Sequence, residues 1–87
     1  MKSFSYKIKD EIGLHARPAG MLTKEAQECT SRITVTNMEN QKSADASRIM
    51  SVMGLSVKCG NTVRIDAEGE NEEADIVRIE KFFRENL

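Results

Sequence analysis

The sequence predicts an α+β domain: one four-stranded, mostly antiparallel sheet with three helices packed on one face, in the order βαββαβα. Two observations carry this. The hydrophobic period switches repeatedly between about two and about 3.6 residues along the chain. A five-residue turn, "NMENQ", joins the two middle strands, which makes them an antiparallel pair. At 87 residues the chain forms a single domain, spanning 1–87, that can fold alone.

The elements follow in order. "SFSYKI" alternates and places Phe4, Tyr6 and Ile8 on one face of a half-buried strand. From Ala16 the period becomes helical. Ala19, Leu22, Ala26 and Cys29 form one stripe, with Lys24, Glu25 and Glu28 off it. "RITVT" alternates again, with Ile33 and Val35 inward, and "KSADA" is a short, weak strand after the turn. "SRIMSVMGL" reads as a short helix. Ser47 is the expected N-cap, its hydroxyl accepting a first-turn N–H, and Val52 and Leu55 are the expected inward residues. "TVRIDA" places Val63, Ile65 and Ala67 on one side of the last strand. "GENEEADIVRIEKFFREN" is the longest helix. Glu72 and Glu73 lie in its first turn, where the macrodipole favours acid, and Ala74, Val77, Ile76, Ile79 and Phe83 are expected on its inner side.

Composition excludes several functions. Thirteen basic and fourteen acidic residues give a net charge of −1, without the basic excess that nucleic acid demands. No apolar run approaches the roughly 20 residues needed to cross a bilayer, and the N-terminus has no signal-peptide core. A cytoplasmic location is therefore expected. Cys29 and Cys59 are far apart, and reduced thiols are expected of them. With a single histidine, they cannot make an ordinary zinc site, so neither a metal nor a cofactor is implied.

That histidine, His15, sits in "GLHARPAG". Pro18 fits only the first turn of a helix, so the helix starts near Ala16 and His15 is at or near its N-cap. The unpaired N–H groups of Ala16 and Arg17 form an anion site, and the guanidinium of Arg17 adds charge and forked donors for phosphate oxygens. Gly13 permits a sharp turn and Ala16 leaves the approach open. The positive field favours the neutral, nucleophilic imidazole. Asp10 and Glu11 are near in sequence but lie before the turn, so no carboxylate is evident to drive hydrolysis. The chemistry suggested is phosphorylation of His15 followed by release to another acceptor.

"GLHARPAG" closely resembles the active-site motif of HPr, the histidine-containing phosphocarrier of the bacterial phosphoenolpyruvate:sugar phosphotransferase system. "SRITVT", "IMSVMGL" and "RIDAEGENEEA" resemble further HPr segments, in order. The resemblance implies an open-faced β-sandwich. It implies that His15 takes a phosphoryl group on Nδ1 from enzyme I and passes it to sugar-specific IIA components, with Arg17 beside the phosphate. It also implies docking through Ile49, Met50 and Met53 on the second helix, extended by Gly20, Lys24 and Gln27, with the chain acting as a monomer. Methionines suit a surface that must fit several partners.

The chain also departs from the family. Low-GC Gram-positive members carry a regulatory serine at the start of the second helix. Here Arg48 holds that position, Ser47 is one residue early, and "NMENQ" is about two residues longer than usual. Kinase-dependent regulation is therefore not expected. Ile12 stands where many members have a small polar residue. Two rival readings remain: a specialised paralogue that regulates a kinase or transcription factor, and a plain interaction module in which His15 is incidental.

Overall fold

The computed structural model describes all 87 residues. The chain runs β1 (Lys2–Lys7), α1 (Ala16–Glu28), β2 (Arg32–Asn37), β3 (Lys42–Asp45), α2 (Ile49–Met53), β4 (Thr62–Glu68) and α3 (Glu72–Asn86). The strands form one sheet in the order β1-β4-β2-β3, with every neighbouring pair antiparallel. The register pairs Phe4 and Val35 with Ile65, so the inward residues of three strands form one row. One sheet face is covered by the helices, as the element order requires.

Ile33, Val35, Val63, Ile65 and Ala67 of the sheet meet Ala19, Leu22 and Ala26 of α1 and Ile79, Phe82 and Phe83 of α3 in a single buried cluster. Phe83 anchors it. Phe4, Tyr6 and Phe82 surround its ring edge-on, with centroids 5.8, 5.7 and 6.0 Å away. In α2, Val52 is buried and Leu55 follows it inward, as the sequence predicts.

The inner face of α3 differs from the expected one. Ala74 and Val77 are exposed, Val77 to 64%, and the buried series is Asp75, Ile79, Phe82 and Phe83. The large aromatic pair sets the phase of the helix. Asp75 is then carried inward, where Oδ2 accepts the Ser31 N–H at 2.9 Å. Burial alone would raise the Asp75 carboxyl. The neighbouring polar groups, Ser31 first and then Cys29 and Thr30, outweigh it and hold the group below the usual carboxylate range. The same neighbour, after burial, pushes the Cys29 thiol up to about 11. Both cysteines are free.

Ser47 does not cap α2. The cap position belongs to Arg48 (φ −119°, ψ 104°), which makes no side-chain capping bond. Ser47 turns back instead: its N–H and its hydroxyl both donate to Asp45 Oδ1, at 2.9 and 2.7 Å. A carboxylate is a stronger acceptor than a serine hydroxyl, so the hydroxyl serves as donor rather than cap. These two bonds, the hydroxyl's first, hold the Asp45 carboxyl below its ordinary range. The β2–β3 turn is tied to the end of α2, because Asn37 and Asn40 both donate side-chain N–H to the Leu55 carbonyl, at 2.9 and 3.0 Å. No helix is long and apolar enough to cross a membrane.

Candidate functional site

The loop between β1 and α1 is built around Asp10 and Gly13. The Asp10 carbonyl accepts the Gly13 N–H at 3.0 Å, and Asp10 Oδ1 accepts the Ile12 N–H at 2.9 Å. Gly13 has φ +83°, and a Cβ there would lie 2.5 Å from the Val57 carbonyl oxygen. The next residue, Leu14, donates its N–H to that same oxygen at 3.1 Å and buries its side chain. The segment before β4 therefore clamps the loop, and the chain emerges at His15 in a fixed direction.

His15 is the N-cap of α1, with extended backbone (φ −93°, ψ −173°) and no side-chain capping bond. Its carbonyl accepts the first helical N–H, from Ala19, at 2.9 Å. The N–H groups of Ala16 and Arg17 precede that bond and have no acceptor in the protein, and Pro18 has none to offer. Pro18 is buried while Ala16 and Arg17 are exposed. Arg17 makes no ion pair. The imidazole, 34% exposed, is thus accessible beside two free backbone donors and an unengaged guanidinium.

One neighbour departs from expectation. Asp10 lies before the turn in sequence, yet the turn folds it back, and its Oδ1 lies 4.0 Å from His15 Nε2. A negative charge thus faces one edge of the ring, opposite in sign to the helix terminus. Asp10, Ile12, Arg17, Pro18, Met21 and Asn86 line a shallow depression around His15. Periodicity leaves Met21 off the buried stripe, which is a readable signal. Asn86 comes from the other end of the chain, and nothing local could have found it.

Beside this site, α1 and α2 meet. A Cβ on half-buried Gly20 would sit 3.5 Å from Ile49 Cδ1, an ordinary contact, and Gln27 Nε2 donates to the Ser47 carbonyl at 3.1 Å. Ile49, Met50 and Met53 are 38%, 77% and 39% exposed. Lys24 is also exposed and borders the groove between α1 and α3. Across that groove Arg78 of α3 pairs with Glu25, at 2.6 Å, and with Glu28. Arg48 is exposed at the mouth of α2. No cluster of three or more histidine, cysteine or acidic side chains that could hold a metal is present.

A family model described as "PTS HPr component phosphorylation site" matches residues 2–85. The phosphocarrier protein HPr of Mycoplasma capricolum is 40% identical over 81 residues, covering 93% of this chain and 89% of that protein. The multiphosphoryl transfer protein of Salmonella typhimurium is 40% identical over 72 residues, which is 82% of this chain but 19% of that longer protein. A solved structure of a histidine-containing phosphocarrier protein from Mycoplasma superposes with a TM-score of 0.91 at 37% identity, covering 97% of this chain and 93% of that one. The chain belongs to the HPr family of phosphocarriers of the phosphotransferase system.

Proposed function

We propose that this phosphocarrier accepts a phosphoryl group on His15 from phosphorylated enzyme I and passes it to IIA components of sugar permeases. The observation that carries the reading is an accessible imidazole at a helix N-cap, beside the free N–H groups of Ala16 and Arg17 and an Arg17 side chain with no ion-pair partner. A ring lone pair attacks phosphorus, and the bond from phosphorus to the donor breaks with its electron pair leaving on the donor. The family's Nδ1 is the nitrogen assigned to this step. Arg17 and the two backbone donors accompany the charge on the phosphoryl oxygens. The reverse step delivers the group to the next acceptor, so His15 is a stoichiometric intermediate and the chain needs no cofactor.

Partners dock, in this reading, over Ile49, Met50 and Met53, with Gly20, Lys24 and Gln27 extending the surface. An exposed apolar patch beside a reactive group supports that role. The protein works as a cytoplasmic monomer, and Arg48 at the start of α2 removes the kinase-regulated serine. Incubation with enzyme I and phosphoenolpyruvate should add one acid-labile, base-stable phosphate. His15→Ala should abolish it, and labelling that survives the change would remove His15 from the mechanism.

A further inference from the structure

We propose that Asp10 is a positioning residue for His15: its carboxylate holds the Nε2–H tautomer of the ring and so keeps the lone pair on Nδ1. The inference rests on the phosphocarrier reading of His15. Asp10 is not a free surface acid. Its Oδ1 is fixed by the Ile12 N–H at 2.9 Å, its carbonyl by the Gly13 N–H at 3.0 Å, and its own N–H by the backbone oxygen of Leu87 at 3.0 Å. This clamped oxygen is the atom that lies 4.0 Å from His15 Nε2.

A neutral imidazole carries one proton, and the nitrogen that faces an acceptor keeps it. Nε2 faces a carboxylate; a lone pair there would meet a negative charge. The proton therefore belongs on Nε2, and Nδ1 holds the pair that can form a bond to phosphorus. The separation exceeds a hydrogen bond in the resting protein, and such contacts commonly tighten when the partner docks. The transfer then balances without moving a proton. The Nδ1 pair forms the new bond to phosphorus and the donor leaves with its own pair. The ring, still bearing Nε2–H, becomes cationic beside the Asp10 carboxylate. On release the Nδ1–phosphorus bond breaks, its pair returns to Nδ1, and Nε2 keeps its proton.

Arg17 is the other charged group lining the depression, and α3 contributes only the uncharged amide of Asn86. No other side chain there is an acidic candidate for the role. Ile12 and Pro18 have no side-chain acceptor, and the Met21 thioether is only a weak one.

The test uses two substitutions in the full chain. Asp10→Asn keeps an oxygen that can accept both the Ile12 N–H and Nε2–H, and removes only the charge. Asp10→Ala removes the acceptor. Imidazole 15N NMR on the neutral ring should show Nε2–H dominating in wild type and in Asp10→Asn. Asp10→Ala should drift towards the mixture of an unconstrained imidazole. Phosphoryl transfer from enzyme I should slow in Asp10→Ala in proportion to the Nε2–H fraction lost, about twofold for an even mixture, and be largely restored in Asp10→Asn. A wild-type ring protonated mainly on Nδ1 would overturn the proposal. So would an Asp10→Ala spectrum identical to wild type, or equal transfer rates in all three proteins. If Asp10→Asn is as slow as Asp10→Ala while its ring remains Nε2–H, the tautomer is not what Asp10 supplies and the proposal fails. The NMR measurement needs no phosphate, so absence of phosphorylation in wild type would count against the phosphocarrier reading and leave the tautomer result standing.

Discussion

Asp75 on α3 accepts the backbone N–H of Ser31, 2.9 Å away, at the turn that leads from α1 into β2. Asp75 is 7% exposed and Ser31 6%, so the bond is shielded from water. A carboxyl lowered on folding stabilises the fold above its unfolded value of about 3.9, and that contribution is lost as pH falls through the folded value. Asp75→Ala leaves the Ser31 N–H buried without an acceptor, at a cost of about 1–3 kcal/mol near neutral pH. Urea unfolding at pH 7 and at pH 3 should show the gap from wild type narrowing in acid. A gap unchanged with pH would mean that the charge on Asp75 contributes nothing.

Gly13 and Gly60 both have positive φ, +83° and +89°, but a Cβ on Gly13 meets the Val57 oxygen at 2.5 Å while one on Gly60 meets nothing within 4 Å. Gly13→Ala should therefore be the more destabilising. It should add a loop displacement to the roughly 1–3 kcal/mol of backbone strain that either change carries. Thermal unfolding of the two variants compares them directly. Gly13→Ala should also slow His15 phosphorylation, because the clamp that aims His15 is lost; equal melting temperatures and equal rates would show that the clamp is slack.

Arg17→Ala should leave the melting temperature nearly unchanged, since the side chain is exposed and without an ion-pair partner. Transfer should slow by roughly ten- to a hundredfold, the worth of one charge-assisted contact made mainly in the transition state. Rapid-quench kinetics in both directions reads the effect, and unchanged rates would reduce Arg17 to solvated charge.

Met50 is 77% exposed, so Met50→Asp should hardly alter stability. It should weaken association with enzyme I, measurable by calorimetric titration. Equal affinity would move the docking surface away from α2.

Ser47 should resist an HPr-directed protein kinase. Its hydroxyl is already given to Asp45 Oδ1 at 2.7 Å, and a phosphate there would face that carboxylate. Arg48→Ser should restore partial acceptance, because residue 48 occupies the cap position and is exposed. Phosphoserine at position 47 of the unaltered protein, found by mass spectrometry, would contradict this.

Where local pattern and burial coincide, the sequence was readable. Alternation placed Ile33 and Val35 inward, Pro18 located the start of α1, and the short α2 could not hide all its apolar residues. Three features depended on tertiary geometry instead. The phase of α3 was set by Phe82 and Phe83, so Asp75 went inside while Val77 went out. Ser47 met a better acceptor in Asp45 than the helix terminus offers. Asp10 precedes the turn in sequence, but an Asx turn bends the chain there and returns its carboxylate to His15. Side-chain acceptors that reach across a bend leave no period in the sequence.

The first strand pairs with the last: Lys2 lies opposite Ala67, and Ile8, just beyond β1, exchanges backbone bonds with Gly60 and Asn61. The loop that presents His15 hangs on Val57 in the same region. Such pairings close a long loop before they return any free energy, which slows folding relative to helical chains of this size. They also set an order of events during synthesis. A nascent chain that has not yet extruded residues 57–67 has neither a partner for β1 nor an anchor for Leu14. Its histidine is present but not aimed, so, on the proposed function, an unfinished copy should accept phosphoryl groups more slowly than a complete one.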